Sequence, residues 1–172
     1  GLDAVHGIAG DGSHAAGERF DNRAGRLNPM TAKSGSTGLE YAPRGLIGAL
    51  TPQANTTVEP EFQILLPEGY GMINARMTSP KNTINARLLD YWATLDQTLD
   101  QFANAPVSAV AFGCTGASYL AGRDEEDMLV ARIGEARGYP FVTSAIAVTD
   151  ALNALDAKRV GLVSPYHADL TD

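Results

Sequence analysis

The sequence has few of the features that identify disulfide-bonded, nucleic-acid-binding or membrane proteins. Its 172 residues include one cysteine, so no disulfide can form within the chain, which predicts a reducing and therefore cytoplasmic location. Lysine and arginine total 13 against 20 acidic residues, and the formal net charge is −7. Nucleic acids and anionic membranes are bound largely through positive charge, so we expect neither as a partner. No apolar run approaches the roughly 20 residues of a membrane span.

The sequence also lacks the short motifs of common cofactor and nucleophile sites. It contains no dinucleotide-binding G-x-G-x-x-G, no Walker-type G-K-[ST] and no G-x-S-x-G nucleophile elbow. His6, His14 and His167 are scattered, and no Cys/His cluster has the spacing of metal ligands. We therefore expect no cofactor and no metal.

Composition divides the chain into three parts. Residues 1–42 are rich in Gly, Ser, Ala, Asn and Asp and lack apolar periodicity, so they predict an irregular N-terminal arm, either disordered or wrapped around a partner subunit. Residues 43–158 carry the apolar patterns of an α/β lobe. Residues 159–172 begin with another apolar run, and we interpret them as the start of a second lobe that is truncated in this sequence.

Five short apolar runs predict buried strands from Arg44 onward. They read RGLIGAL, GMINARMT, VSAVAFG, PFVTSA and RVGLVSP. Helical patterns separate them, and strands that alternate with helices indicate βαβ units. The predicted fold class is therefore α/β, a three-layer sandwich with a parallel sheet.

Four helices are predicted between these strands. The first is capped by Thr56 or Thr57, of which Pro60 favours Thr57. The third, DEEDMLVARIGEARG, has acids in its first turn and is closed by Gly138. The second, TINARLLDYWATLDQTLDQFAN, carries an apolar stripe at spacings of three and four, formed by Leu88, Trp92, Leu95, Leu99 and Phe102. The fourth has a stripe of Val148, Leu152 and Leu155.

The residues that follow the strands predict an anion site. In parallel α/β sheets, ligands bind outside the carboxyl ends of the strands. Those ends read TPQANTT, TSPKNT, GCTGAS, TSAIA and SPYHA, which are rich in hydroxyl and amide donors and poor in carboxylates. Such loops can hold a carboxylate or phosphate through hydrogen bonds.

Cys114 lies at one of these strand ends and admits two interpretations. A thiol before a Gly-flanked polar turn can be partly exposed, with nearby N–H groups favouring the thiolate, and it could then attack carbon or move a proton. The alternative is a buried cysteine that packs as a small apolar residue. The neighbours Thr115 and Gly116 favour the reactive interpretation.

Three segments resemble the aspartate/glutamate racemase superfamily, and within it the maleate cis-trans isomerase and arylmalonate decarboxylase branch. They are GLIGALTPQANTTVEPEF, VAFGCTGASYLAG and YPFVTSAIAVTDALNALDAKRVGLVSPY. The resemblance implies a cofactor-independent enzyme with two facing α/β lobes, each usually offering a cysteine to a small carboxylate substrate between them. It also implies a homodimer, because superfamily members often pair.

The resemblance further implies roles for four residues. Cys114 would be the catalytic cysteine of the first lobe, and Asn55, Thr115 and Tyr166 would bind the substrate carboxylates. In the isomerase branch the cysteine adds to the double bond of maleate, rotation follows, and elimination gives fumarate. The decarboxylase branch lacks a cysteine at this first position, so Cys114 disfavours that activity.

Two alternatives to a dicarboxylate isomerase remain open from the sequence. An aspartate/glutamate or hydantoin racemase would use the cysteine for acid/base chemistry. A non-catalytic small-anion-binding lobe or fragment would keep the fold without the reaction. The chain ends before any second cysteine, so the two-cysteine scheme is incomplete within these residues.

Overall fold

Four of the apolar runs form one parallel sheet. The computed structural model describes residues 36–164 and residue 166. The sheet has the order β2-β1-β3-β4, and every neighbouring pair of strands is parallel. The strands are β1 Gly45–Pro52, β2 Tyr70–Met77, β3 Ala109–Phe112 and β4 Phe141–Thr143. The predicted α/β fold with a parallel sheet is thus confirmed.

A helix follows each strand, as the connections between parallel strands require. They are α1 Val58–Leu65, α2 Ile84–Ala93, α3 Leu95–Leu99, α4 Thr115–Ala121, α5 Arg123–Arg137 and α6 Ser144–Ala154. The predicted end of α5 is confirmed, because Gly138 adopts the left-handed conformation with φ 72° and donates its N–H to Gly134. A residue with a side chain adopts that conformation at a steric cost, which explains the glycine.

The prediction of one long helix after β2 is wrong. Helix α2 ends at Ala93, α3 begins at Leu95, and a 3₁₀ turn covers Asp100–Phe102. The break lies at Thr94, whose hydroxyl donates to the carbonyl of Asp90 at 2.7 Å. Such back-bonding by threonine competes with the helical hydrogen-bond ladder and bends helices. Most of the predicted apolar stripe nevertheless faces the core, since Leu88, Leu95, Leu99 and Phe102 are buried.

The core lies between the sheet and the helices that follow β2 and β3. Phe112 in the third strand is fully buried and makes an edge-to-face contact with Trp92, with ring centroids 5.7 Å apart, and a tilted contact with Phe141. Leu50, Met77 and Ile133 are also fully buried in this cluster. This packing fixes the ends of β1 and β3, where the predicted site residues begin.

The predicted fifth strand is absent from the described residues. Residues 159–164 pair with none of the four strands, and Val160, Leu162 and Val163 are exposed. A strand requires a neighbour for its backbone N–H and C=O groups, and within residues 36–164 this segment has none. The fourth predicted stripe faces mostly outward, because Val148 and Leu155 are exposed and Leu152 is half-buried, while Ile146 is the buried residue of α6.

The predicted arm, residues 1–42, falls mostly outside the described residues, as do residues 165 and 167–172 of the predicted second lobe. Within the described part, no helix is both long enough and apolar enough to span a membrane.

Candidate active site

The carboxyl ends of β1, β3 and β4 meet at one edge of the sheet and open into a shared cavity. Leu50 is paired with Phe112, and Phe112 with Thr143, so the residues after these strands are neighbours. The cavity has a volume of about 600 Å³. Asn55, Cys114, Thr115 and Tyr166 all line it, together with Ser144 and with α1, which contributes apolar side chains and Glu61. The four residues predicted for the site therefore lie around one cavity.

Cys114 is the residue immediately before α4, and it is more deeply buried than expected. Its exposed fraction is 5 %, so the prediction of a partly exposed thiol is wrong. Burial raises the pKa of the Cys114 thiol, while hydrogen bonds from the backbone N–H groups of Ala117 and Gly116 lower it by a smaller amount. The expected N–H donors are present, but desolvation outweighs them and favours the neutral thiol.

Asn55 is held in one orientation by the start of α1. Its Oδ1 accepts hydrogen bonds from the N–H groups of Thr57 at 2.9 Å and Val58 at 3.0 Å, and from the Thr57 hydroxyl at 3.2 Å. Asn55 is therefore the side chain that caps α1, and the predicted capping hydrogen bond from the Thr57 side chain is absent.

The capping bonds engage the oxygen of the Asn55 amide and leave its nitrogen as the end that could bind a ligand. Three donors contact Oδ1, so the Nδ2 group, a donor, is the remaining polar end. Within residues 36–164 and 166, Nδ2 has no hydrogen-bond partner, and Asn55 lines the cavity. The amide is thus suited to donate to an anion there.

Thr115 and Tyr166 form a second polar group in the cavity wall. Their hydroxyl oxygens are 3.2 Å apart, and either can be the donor. The Tyr166 ring lies over Gly116, where an added Cβ would be 3.1 Å from the phenol oxygen. It also contacts the edge of Tyr119, with ring centroids 6.3 Å apart. Glycine at position 116 thereby allows the tyrosine to reach Thr115.

Arg76, near the end of β2, was not predicted as a site residue. Its Nη1 donates to the carbonyl oxygens of Asn55 at 2.6 Å and Pro52 at 3.0 Å, and its Nη2 forms an ion pair with Glu59. Glu59 lies in the first turn of α1, a position that also suits the helix dipole. Ser144 was also missed as a lining residue, although it belongs to the TSAIA segment that was identified as a strand end.

The chemistry available in this cavity is that of a thiol surrounded by hydrogen-bond donors. Among the described residues, no group of three or more His, Cys, Asp or Glu side chains is arranged to hold a metal ion. Beside the thiol, the cavity is lined by the Asn55 amide, by hydroxyls and by the Glu61 carboxylate. The amide and the hydroxyls can bind oxygen anions through hydrogen bonds, whereas the carboxylate cannot donate one when it is ionised.

Comparison with known proteins identifies relatives for this site and fold. The chain is 28 % identical over 138 residues to a maleate isomerase from Pseudomonas putida, a match that covers 73 % of this chain and 55 % of the relative. A maleate isomerase from Geobacillus stearothermophilus is 24 % identical over 138 residues, with the same coverage. The chain thus spans about half the length of the curated relatives it matches.

Solved structures of maleate isomerases also match this chain. A maleate isomerase from Pseudomonas putida matches with a TM-score of 0.64 and 27 % identity, over 74 % of this chain and 56 % of that one. A variant of the Nocardia farcinica maleate cis-trans isomerase with a covalently bound succinylcysteine intermediate matches with a TM-score of 0.63 and 28 % identity, over 74 % of this chain and 55 % of that one.

The family comparison agrees with these relatives. An arylmalonate decarboxylase structure at 24 % identity has the same fold, with a TM-score of 0.53 over 73 % of this chain and 54 % of that one. Residues 47–172 match the family model described as arylmalonate decarboxylase, which confirms the resemblance to this branch of the aspartate/glutamate racemase superfamily. The chain belongs to the arylmalonate decarboxylase family, which its sequence had indicated.

Proposed function

We propose that this protein is a cis-trans isomerase of a small dicarboxylate such as maleate, with Cys114 as the nucleophile. The observation that carries the proposal is the placement of the Cys114 thiol on the same cavity as Asn55, Thr115 and Tyr166. The maleate isomerase relatives support the reaction class, and the succinylcysteine intermediate of the Nocardia farcinica protein supports a covalent mechanism.

Asn55 and the Thr115–Tyr166 pair would bind the two carboxylates of the substrate. The Asn55 amide donates from the α1 side of the cavity, and the paired hydroxyls donate from the α4 side. The overall charge of the protein is negative, so attraction must come from these local donors and not from a general positive field. Donors on two sides fit a substrate with a carboxylate at each end.

The proposed reaction requires only proton transfers in addition to forming and breaking one C–S bond. Cys114 loses its proton, its sulfur forms a bond to one alkene carbon, and a proton reaches the neighbouring carbon, which gives a succinyl thioether. The former double bond is now single and rotates. Removal of the added proton and breakage of the C–S bond then return the thiol and give the trans product. No oxidant, reductant or cofactor is required by this balance.

Because the pKa of Cys114 is raised, the thiol proton must leave during C–S bond formation and not before it. At neutral pH the buried thiol is mostly protonated. Bond formation therefore has to be accompanied by deprotonation, and the backbone N–H groups of Gly116 and Ala117 stabilise the sulfur as charge develops. Activity should consequently increase as pH rises through the alkaline range.

We also propose that residues 43–158 form the first lobe and that residues 159–172 begin a second lobe. The relatives are almost twice the length of the matched part of this chain. The exposed apolar residues support an additional partner surface: Ile64 and Leu65 on α1, and Val160, Leu162 and Val163 after α6. Pairing of two copies and an irregular arm over residues 1–42 remain predictions.

The Cys114→Ser variant of the full-length protein tests the nucleophile. Conversion of maleate to fumarate, followed by proton NMR, should fall below detection, whereas maleate should still raise the melting temperature because the carboxylate donors are retained. Arg132→Met, on the exposed face of α5, is the matched control and should convert maleate at the wild-type rate. Undiminished turnover in Cys114→Ser would contradict the proposal.

A second candidate is a non-catalytic lobe that binds a small dianion. The burial of Cys114 within the apolar cluster favours it, because a packed neutral thiol is poorly reactive. Wild-type protein that is stabilised by maleate, gives no fumarate and shows no adduct by intact mass would support this candidate over the isomerase.

A further inference from the structure

We propose that Arg76 is a positioning residue that fixes Asn55 for substrate binding, with Glu59 holding the guanidinium in place. The inference rests on the proposed function, because it concerns the residue that would bind a substrate carboxylate. It adds a residue on β2, a strand that contributes no lining residue to the cavity among those described.

The Arg76 side chain spans both ends of the loop that carries Asn55. Nη1 donates to the Pro52 carbonyl at 3.0 Å, where β1 ends, and to the Asn55 carbonyl at 2.6 Å. The loop is itself a turn, since the Asn55 N–H donates to the same Pro52 carbonyl at 2.9 Å. One guanidinium nitrogen therefore fixes the distance between the end of the strand and the backbone of Asn55.

Glu59 supplies the second fixed point. It lies in the first turn of α1, and its Oε1 pairs with Arg76 Nη2. The two ends of the planar guanidinium thus join the loop before α1 to the helix itself. Asn55 also caps that helix through Oδ1, so both the backbone and the side chain of Asn55 are held by hydrogen bonds.

Arginine suits this role better than lysine. The guanidinium is a planar fork with five donors in fixed directions, and lysine is a single flexible ammonium. Arg76 projects from a strand whose register is set by pairing with Thr51, so its starting point is rigid. The Arg76 side chain is 38 % exposed, so water can hydrogen-bond to the Pro52 and Asn55 carbonyls after substitution. Substitution should therefore change the position of Asn55 more than the stability of the fold.

A double-mutant cycle in the full-length protein tests the inference. Arg76→Met and Asn55→Ala are made singly and together, and kcat/KM for maleate and the maleate dissociation constant are measured. Each single variant should lose at least about tenfold in kcat/KM, since a displacement of about 1 Å in a binding group has effects of that order or larger. The double variant should be no worse than Asn55→Ala, because the arginine acts through the asparagine.

Conservative variants give further tests that do not require Arg76→Met to fold. Glu59→Gln keeps the two carbonyl contacts and should lose less activity than Arg76→Lys, and both effects should vanish in the Asn55→Ala background. Arg132→Met removes an exposed ion pair with Asp96, 3.0 Å long, and neither residue lines the cavity, so every parameter should stay unchanged.

Two results separate the possible failures. Additive losses for Arg76 and Asn55 would mean that the arginine acts on the fold in general, and this inference would be wrong while the proposed function stood. A wild-type protein that neither binds nor isomerises maleate would overturn the proposed function and this inference together.

Discussion

Two helical glycines allow the position of Tyr166 to be tested with the same substitution. A Cβ added at Gly116 in α4 would lie 3.1 Å from the Tyr166 hydroxyl oxygen and 3.0 Å from a methyl carbon of Leu88. A Cβ added at Gly134 in α5 would have the Tyr139 carbonyl oxygen as its nearest neighbour, at an ordinary 3.8 Å. Alanine therefore crowds the first position and fits the second.

The two variants should differ in stability because alanine's higher helix propensity raises the free energy of unfolding, whereas crowding lowers it. Gly134→Ala should raise the free energy of unfolding by about 1 kcal/mol, the usual gain of alanine over glycine in a helix. That gain corresponds to an increase of about 2–4 °C in melting temperature for a protein of this size. Gly116→Ala has the same type of gain, offset by about 1–3 kcal/mol of crowding against side chains that can partly move aside. We expect Gly116→Ala to be the less stable variant by roughly 1–3 kcal/mol.

The functional consequences should differ even more clearly. Alanine at 116 pushes the phenol away from the Thr115 hydroxyl and should weaken maleate binding, while alanine at 134 should leave binding unchanged. Urea denaturation gives the stabilities, and isothermal titration calorimetry gives the affinities. Equal stabilisation by the two variants, with equal affinity for maleate, would show that Tyr166 does not lie over Gly116 and would refute the assigned site geometry.

Two further predictions concern the thiol and a helix cap. The rate of Cys114 alkylation by iodoacetamide should rise about tenfold per pH unit and keep rising above about pH 8.5, where the rates of ordinary thiols level off. The reason is that burial raises the pKa of Cys114. A plateau below about pH 8.5 would contradict this assignment. Thr143→Ala should destabilise the protein by about 1–2 kcal/mol in urea denaturation, because the buried Thr143 hydroxyl accepts the Ile146 N–H at 3.1 Å. The same change at Thr83, an exposed cap, should cost only about 0.5–1 kcal/mol, and equal losses would contradict the role of burial.

The parallel sheet could be predicted because its strands are short apolar runs separated by strong helical patterns. Helix α5 was predictable for a local reason, since its acids lie in the first turn and Gly138 ends it. The break at Thr94 was not, because a periodic apolar stripe continues through it and the competing hydrogen bond to Asp90 leaves no trace in the pattern. The run RVGLVSP reads as a strand, but a strand also depends on a pairing neighbour, which its own residues do not specify.

The site was predictable to a different degree for each residue. The strand-end rule and the resemblance bring Asn55, Cys114, Thr115 and Tyr166 to one cavity. Cys114 is buried in a cluster that also contains Leu88 and Tyr91 of α2 and Ala117 of α4, and the local sequence does not determine this packing. The contact between Arg76 and the Asn55 loop joins residues 21 positions apart through a long side chain, and no periodicity reports such a contact.

The buried, neutral thiol also bears on how the cavity would bind a dicarboxylate. A buried thiolate beside two carboxylates would repel them, whereas a protonated thiol does not. The raised pKa of Cys114 thus favours binding of the substrate dianion and disfavours the nucleophile, so the two requirements oppose each other. They are reconciled if negative charge appears only as the C–S bond forms, and if it then moves to the substrate carbon and its carboxylate. Donors aimed at that carboxylate, from Asn55 on one side and the Thr115–Tyr166 pair on the other, would then stabilise the transition state more than the bound substrate, which is the condition for catalysis.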